Sequence, residues 1–436
     1  MRGAIVLADN KIRWGLSTLF AVLLLFSTFQ TVFSLLAFAL FCFIIFFCDR
    51  EFVLLQMFFV MPMANIFKMA PGTQSFFTIV LLLYVVFYLV LPRNATVIIT
   101  LFAVYIVVMQ LVVGEFNLFR TIKLVCNVLF LSSVLNNQVK TRHREIFLSY
   151  IIGNVVASII GLMDSPFFKI ESYVGVEEFG NPNLGNLVSR FTGLYSDPNY
   201  YAVGLIISLS LLVILYHRNE IKVFSAILLT SIIIYFLIIT YSKSAIIMLL
   251  VVLLFLLYSL ALKKKIIPII ILSISAAIII VLAASGQISA LNIVIERFMS
   301  SDTLDGMDVN KLTTGRFDLW ILYTKHLINN LDILIFGHGI GSNYFDTAAH
   351  NTYIDLFYFL GSVGTGVLMS SLLAISKQSR RVKNSRNLLN YSIMICIVVM
   401  YFFLSEIFFF DIPFHLFVAI TVLNLSIDNT QKKVVE

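Results

Sequence analysis

Charged residues are scarce in this sequence. Asp, Glu, Lys and Arg make up only 12% of the 436 residues, 60% are hydrophobic, and the mean hydropathy is +0.98. A soluble domain carries about twice that share of charge, so an ordinary soluble protein is excluded. Apolar stretches of about 16 to 24 residues recur along the chain, the length that an α-helix needs to cross roughly 30 Å of hydrocarbon. Barrel strands would be about half as long, so the sequence predicts an all-α polytopic membrane protein.

Cysteine and metal-ligand patterns are also sparse. The four cysteines lie in apolar stretches without C-x-x-C spacing, which indicates neither a disulfide framework nor a zinc site: Cys42, Cys48, Cys126 and Cys396. His326, His338 and His350 recur at intervals of twelve, unlike zinc ligands, and DTLDGMD at 302–308 departs from a calcium loop. No phosphate-binding loop or nucleophile elbow is present in the sequence. We therefore expect no metal and no cofactor.

The apolar stretches predict 12 to 14 membrane spans in a single domain, 1–436. The first follows Arg2, Lys11 and Arg13 without a small-residue cleavage site, so it is interpreted as a span and not as a removed signal peptide. The predicted spans are 14–30, 32–48, 52–67, 75–91, 95–113, 118–135, 146–163, 199–216, 223–241, 243–261, 266–284, 351–376, 388–410 and 413–427.

Basic residues predict the orientation. With the N-terminus inside, twenty of the 30 Lys and Arg residues fall in inner segments and eight in outer segments, while Arg120 and Lys123 lie within a span. This bias fits the positive-inside rule, with both termini on the cytoplasmic side of the membrane. Topology and contacts with the lipid bilayer account for most of the net charge of +7, so no nucleic-acid partner is expected.

Two predicted outer segments are long, 164–198 and 285–349, the second with 65 residues. The first ends in RFTGLYSDPNYYAVG, where Ser196 or Asp197 can cap a helix that has Pro198 in its first turn. The second contains TTGRFDLWILYTKHLINN, whose apolar residues follow helical spacing. It predicts an amphipathic helix at 316–330 on the membrane surface.

Cations on the outer side break the charge bias and are the main candidates for binding. Arg190 and Arg316 carry guanidinium groups, whose fork geometry matches phosphate oxygens, so an anionic, phosphate-bearing ligand is the natural candidate. Lys243 lies at an outer turn. Arg120 and Lys123 are one and two turns into the sixth span, where a cation must snorkel or face a polar cavity. Lys123 is the deeper and the better cavity candidate.

A histidine opens the next predicted site. His350 stands at the outer mouth of a span, followed by Asn351 and Asp355, which are four apart on one helix face. Upstream, Gly339 and Gly341 of GHGIG allow a close backbone approach. A histidine here can be an interfacial anchor, and a glycine pair can be a simple turn.

Four motifs together resemble one family. His350-Asn351, nine residues and then GSVG resemble the H-[NSQ]-x9-G-x-x-G signature of the O-antigen ligase and O-antigen polymerase superfamily. RFTGLYSDPNYYA is similar to its R-x-x-G…D-P-N segment, TYSKSA to its T-x-S-R-[GS] turn, and TTGRFDLW…IFGHGIG to its G-R…W…G-x-G loop. They occur in the family's order over 185–366.

The resemblance implies a C-type glycosyltransferase of a bacterial cytoplasmic membrane, with its active site on the outer face, that takes a saccharide from an undecaprenyl-diphosphate carrier without a metal. It puts the functional residues at Arg190, Arg316 and His350. Lys243 departs from the usual arginine, which keeps the charge and loses the fork. The further positions that we expect to contact substrate are Lys243, Lys123, Arg120, Asp197, Asn199, Asn351, Asp355, Gly339 and Gly341.

The expected chemistry is attack of an acceptor hydroxyl on the anomeric carbon, with negative charge growing on the departing lipid diphosphate. Fixed cations stabilise that charge. His350 could orient acceptor or diphosphate, or act as a base with Asp355, and we favour orientation. The helix at 316–330 would cover the lipid's exit.

Three functions are considered, two of which are enzymatic and share this chemistry. The long outer segment and the lack of a soluble tail favour a polymerase of carrier-linked repeat units for O-antigen, capsule or exopolysaccharide, working with a flippase and a chain-length regulator. The alternatives are a ligase that transfers glycan to a lipid or protein acceptor, and a transporter of lipid-linked sugars. Transporters tend to have repeated halves and midplane charges, whereas here the sequence has no visible repeat and its unusual charges gather at the outer face.

Overall fold

The computed structural model describes residues 10–68, 75–89, 93–113, 118–135, 143–163, 190–195, 197–262, 316–340, 349–379 and 388–402. These segments contain helices and connecting turns and no strand. Their helices are α1 (Asn10–Phe26), α2 (Thr31–Phe47), α3 (Arg50–Val60), a 3-10 helix (Met61–Ile66), α4 (Phe77–Tyr88), α5 (Arg93–Val113), α6 (Leu118–Leu135), α7 (His143–Leu162), α8 (Pro198–His217), α9 (Val223–Ile239), α10 (Lys243–Leu262), α11 (Arg316–Asn329), α12 (Leu331–Phe336), α13 (Thr352–Ser379) and α14 (Leu388–Tyr401).

The apolar stretches of the sequence coincide with these helices. Each predicted span that falls on described residues corresponds to a helix, while 266–284 and 413–427 lie outside the described residues. The third predicted span, 52–67, is not one continuous α-helix. Helix α3 ends at Val60, and the chain goes on as the 3-10 helix, with Pro62 in its first turn. Proline has no amide hydrogen and closes off an α-helical ladder.

Among the described helices, four are long and apolar enough to cross a membrane by length and composition. They contain the windows Thr96–Val113, Arg144–Leu162, Pro198–His217 and Thr352–Ala374. Shorter apolar helices accompany them, at Thr31–Phe47, Phe77–Tyr88, Val223–Ile239 and Lys243–Tyr258. The chain is thus a helical protein with the composition and the helices of a membrane protein.

Helix α8 is at the centre of the packing. It contacts α7, α9, α10 and α14. Within its candidate span 83% of the residues are buried, against 22% for the span of α5. The start of α8 is as predicted from the sequence. The Asp197 carboxylate accepts a hydrogen bond of 2.6 Å from the backbone amide of Asn199, and Pro198 occupies the first turn.

A polar network joins helix ends that the predicted topology puts on the inner side. The Arg50 guanidinium donates to the Ser133 carbonyl and, at 3.4 Å, to the Tyr84 hydroxyl. The Tyr88 hydroxyl donates to carbonyls of the α2 end at 2.7 and 3.0 Å, and Arg13 pairs with Asp49. These contacts fasten α1, α2, α3, α4 and α6 together at this end.

Helix α13 is interrupted at Gly361, where φ is +65°. The α12 end crosses here, and a Cβ added at Gly361 would lie 2.5 Å from the Gly337 nitrogen. Glycine is therefore required by both the backbone angle and the space. The Tyr105 hydroxyl reaches the carbonyls of Phe336 at 2.7 Å and Leu360 at 2.8 Å, which ties α5 to the crossing.

Candidate functional site

Arg190 is held by residues of two predicted motifs. Its Nε donates to the Thr240 carbonyl at 3.1 Å, and its Nη2 to the Asn199 Oδ1 at 3.3 Å. The same Asn199 oxygen accepts a hydrogen bond of 2.6 Å from the Ser242 hydroxyl. The R-x-x-G…D-P-N segment and the T-x-S-K turn, which are separate in sequence, thus form one cluster around a guanidinium.

The backbone after Arg190 is fixed from several sides. The Phe191 amide donates to the Ile239 carbonyl at 3.1 Å, and the Asn65 side chain donates to the Leu194 carbonyl at 2.9 Å. Gly193 has φ +59°, and a Cβ there would lie 2.6 Å from the Tyr201 ring. The glycine of this motif therefore serves a tight turn against α8, and the turn sets the position of Arg190.

His350 has a left-handed backbone, with φ +52°, which is uncommon for a residue other than glycine. Contacts on both sides hold it there. The Ala349 carbonyl accepts a hydrogen bond of 3.0 Å from the Trp320 Nε1, and the Ala349 backbone amide donates one of 3.3 Å to the Asp355 Oδ1. Asn351 accepts from the amides of the first turn of α13 and caps that helix. Asn351 and Asp355 therefore act on the backbone that surrounds His350.

Charges from two other segments act on His350. Burial lowers the pKa of its imidazole from the ordinary 6.5, the nearby Arg316 guanidinium lowers it further, and the Asp197 carboxylate raises it in part. Arg316 and Asp197 are therefore each within electrostatic range of His350. The lowered pKa favours the neutral form of the imidazole.

Asp197 links the two groups of residues. It caps α8 two residues before Asn199, the residue that holds Arg190, and it also acts electrostatically on His350. The N-terminus of α8 thus relates Arg190 to His350, and Arg316 acts on the same histidine. A helix N-terminus favours negative charge, as the cations around it do.

The other predicted cations have different surroundings. Lys243 follows Ser242 as the first residue of α10, so its backbone adjoins the Arg190 cluster. Lys123 is 4% exposed on α6, with its ammonium 5.7 Å from the centre of the Phe119 ring, and Arg120 is partly buried one turn before it. Helix α6 packs against α4, α5 and α13, apart from the helices that hold Arg190.

Gly339 has a packing role in this structure. Its φ is +85°, its amide donates to the Phe359 carbonyl at 3.1 Å, and a Cβ there would touch Val113 of α5 at 3.5 Å. The left-handed backbone and the contact with α13 account for the glycine. Gly341 lies outside the described residues.

The surface helix predicted at 316–330 is present as α11, but its packing differs in part. Tyr323 and Leu327 are buried, whereas Phe317, Ile321 and Ile328 of the predicted apolar face are 37%, 37% and 62% exposed. Arg316 and Trp320 lie on the same side as the two buried residues, since helix neighbours are three or four apart. The apolar residues of α11 therefore form two adjacent faces, one on the protein and one open.

Sequence reasoning did not single out Trp320 or Ser242 as site residues, although both lie inside the quoted motifs. Their hydrogen bonds join segments 29 and 43 residues apart. The only signal in the sequence for either residue was its position inside a quoted motif.

In the part of the chain that the structure describes, no group of three or more His, Cys, Asp and Glu side chains is arranged to hold a metal. Fold and site together define a helical membrane protein with a cationic, histidine-containing cluster at the start of its central helix. No protein-family model, curated protein or solved structure matches the chain.

Proposed function

We propose that the protein is a glycosyltransferase that joins oligosaccharide repeat units carried on undecaprenyl diphosphate, at the outer face of the cytoplasmic membrane. The observation that best supports this is the helix start at which Asn199 binds Arg190 and Asp197 acts on His350, together with the action of Arg316 on the same histidine. Two guanidiniums and a helix N-terminus form a setting for a diphosphate.

In this proposal the acceptor hydroxyl attacks the anomeric carbon of the donor. The new C–O bond forms as the bond from that carbon to the diphosphate oxygen breaks, and the lipid diphosphate leaves with the electron pair. Arg190 and Arg316 stabilise the charge that develops on it. Their placement by hydrogen bonds and by a helix start means that little reorganisation is needed.

His350 has two possible tasks, and its surroundings favour one. A neutral imidazole beside Arg316 can accept a hydrogen bond from the acceptor hydroxyl and orient it. The lowered pKa makes His350 a weak base, so we assign it mainly an orienting role, with the hydroxyl proton passing to solvent or to the diphosphate.

A polymerase is favoured over a ligase by the predicted outer segment of 65 residues, which offers room for a second carrier-linked saccharide. The two reactions differ only in the acceptor. The alternative of a transporter predicts no new glycosidic bond.

The experiment is a reaction in detergent with purified protein and a carrier-linked repeat unit prepared from the producing strain. Growth of carrier-linked chains from the donor alone supports a polymerase. Transfer only after addition of a lipid or protein acceptor means a ligase, and no glycosidic bond under either condition overturns the enzyme assignment.

Arg190→Gln, Arg316→Gln and His350→Gln should each lose nearly all activity. Lys325→Gln is the matched control, because it removes a cation from the exposed side of the same helix as Arg316.

A further inference from the structure

Trp320 connects α11 to the segment that contains His350. Its indole Nε1 donates a hydrogen bond of 3.0 Å to the Ala349 carbonyl, the carbonyl immediately before His350. The backbone amide of the same residue, Ala349, donates to the Asp355 Oδ1 at 3.3 Å. The indole therefore fixes the peptide from the α11 side.

Trp320 is also one helical turn from Arg316. Residues four apart in an α-helix lie on the same face, so the side chain that binds Ala349 and the guanidinium that acts on His350 project together. Tyr323 and Leu327 continue this face and are buried, and the Tyr323 ring meets Tyr358 of α13 edge to face at 5.2 Å.

We propose that Trp320 is a positioning residue, which holds Arg316 beside His350 through its hydrogen bond to the Ala349 carbonyl. Its relevance to catalysis depends on the proposed function, but the positioning itself does not. Without the indole donor, the start of α11 can move away from the left-handed His350 segment. The guanidinium then acts less strongly on the imidazole, and the diphosphate meets a less ordered cation.

The first test needs no activity. Protein labelled with ¹³C and ¹⁵N at histidine is titrated by NMR in detergent, and the His350 signal is identified by its loss in His350→Gln. In Trp320→Phe the pKa of His350 should rise towards the value in Arg316→Gln, where the charge is removed. In the matched control Trp14→Phe it should stay at the wild-type value, because Trp14, the other tryptophan of the sequence, is 75% exposed on α1.

A double-variant comparison separates positioning from a general loss of packing. In the Arg316→Gln background, Trp320→Phe should leave the His350 pKa unchanged, since the charge through which it acts is absent. A further rise of the same size in that background, or no rise in the single variant, overturns the proposal. Should Trp320→Phe fail to fold, a benzothienylalanine at 320 keeps the ring shape and removes only the donor, and it should give the same rise.

Activity is the second test. Trp320→Phe should lower the turnover number at least tenfold in the detergent assay, while Trp14→Phe leaves it unchanged. A rise in the His350 pKa together with an inactive wild type would reject the proposed function and keep the positioning. A wild-type turnover number in Trp320→Phe would reject a catalytic consequence of the positioning.

Discussion

The Arg190 guanidinium donates a hydrogen bond of 3.3 Å to the side-chain amide oxygen of Asn199, and the same oxygen accepts a hydrogen bond of 2.6 Å from the Ser242 hydroxyl. One oxygen at the start of the central helix thus holds a residue from each of two segments. Asn199 is only 7% exposed, so this geometry is shielded from water. The relationship gives Asn199 a specific role, to orient Arg190, and makes the role testable.

Asn199→Asp should keep the shape of this cluster and weaken the binding of the donor. A carboxylate preserves the acceptor for Arg190 and Ser242 but adds a negative charge, which competes with the diphosphate for the guanidinium. Hydrogen bonds to charged groups contribute about 1.5 to 3 kcal/mol, so we expect a KM for the donor raised roughly 10-fold to 100-fold. The assay is the detergent reaction at varied donor concentration.

The control for that substitution is Asn219→Asp. Asn219 is exposed between α8 and α9, with φ +58°, a backbone that Asp also tolerates. It should leave KM unchanged. An unaltered KM in Asn199→Asp would show that Arg190 does not meet the donor's diphosphate.

The pH dependence of stability should depend on His350. Its folded-state pKa is lower than the ordinary 6.5, so protons bind the unfolded chain more readily. Stability is therefore full above pH 6.5 and falls as the pH drops below that value. We expect the melting temperature of the wild type, relative to His350→Gln, to decrease from pH 7 to pH 5. In Arg316→Gln the decrease should be smaller, because the pKa of His350 moves up.

Much of the helical pattern could be predicted from sequence, since an apolar run of sufficient length has few alternatives. The end of α3 at Val60 was missed, although Pro62 was a local signal for it. The break at Gly361 has a different origin. It depends on the crossing with Gly337, 24 residues earlier in the chain, so the local pattern alone predicts a continuous span.

In the candidate site, too, some features have a local signal in the sequence and others depend on contacts between distant segments. Its predicted members Arg190, Arg316 and His350 were chosen because they break the charge bias or open a span. In the structure Arg190 bonds to Asn199 at the start of α8, and Asp197 of that start and Arg316 both act on His350. The contacts that orient them could not be read from spacing. Ser242 and Trp320 act through hydrogen bonds between distant segments, and a serine or tryptophan in an apolar chain has many other uses.

Two glycines of α13 should respond in opposite directions to the same substitution. Gly361→Ala places a Cβ against the Ile335 carbonyl and the Gly337 nitrogen at a left-handed φ of +65°, which should cost about 2 kcal/mol or more. Gly366 has open space around it and lies within the helix, so Gly366→Ala should stabilise by about 0.5 to 1 kcal/mol. Thermal unfolding in detergent measures both, and equal effects would mean that α13 is continuous through Gly361.

The network of Arg50 should support stability without contributing to chemistry. Arg50→Ala leaves the buried Ser133 hydroxyl without its 3.3 Å contact and the Tyr84 hydroxyl without its guanidinium donor, which should cost about 2 to 3 kcal/mol. Because this network joins the ends of α2, α4 and α6, away from the helix start that holds Arg190, the specific activity of the folded protein at low temperature should be unchanged. Arg144→Ala is the matched control, since Arg144 is an exposed arginine at the start of α7, and it should alter the melting temperature little. Loss of specific activity in folded Arg50→Ala would mean that the two ends of the bundle are coupled.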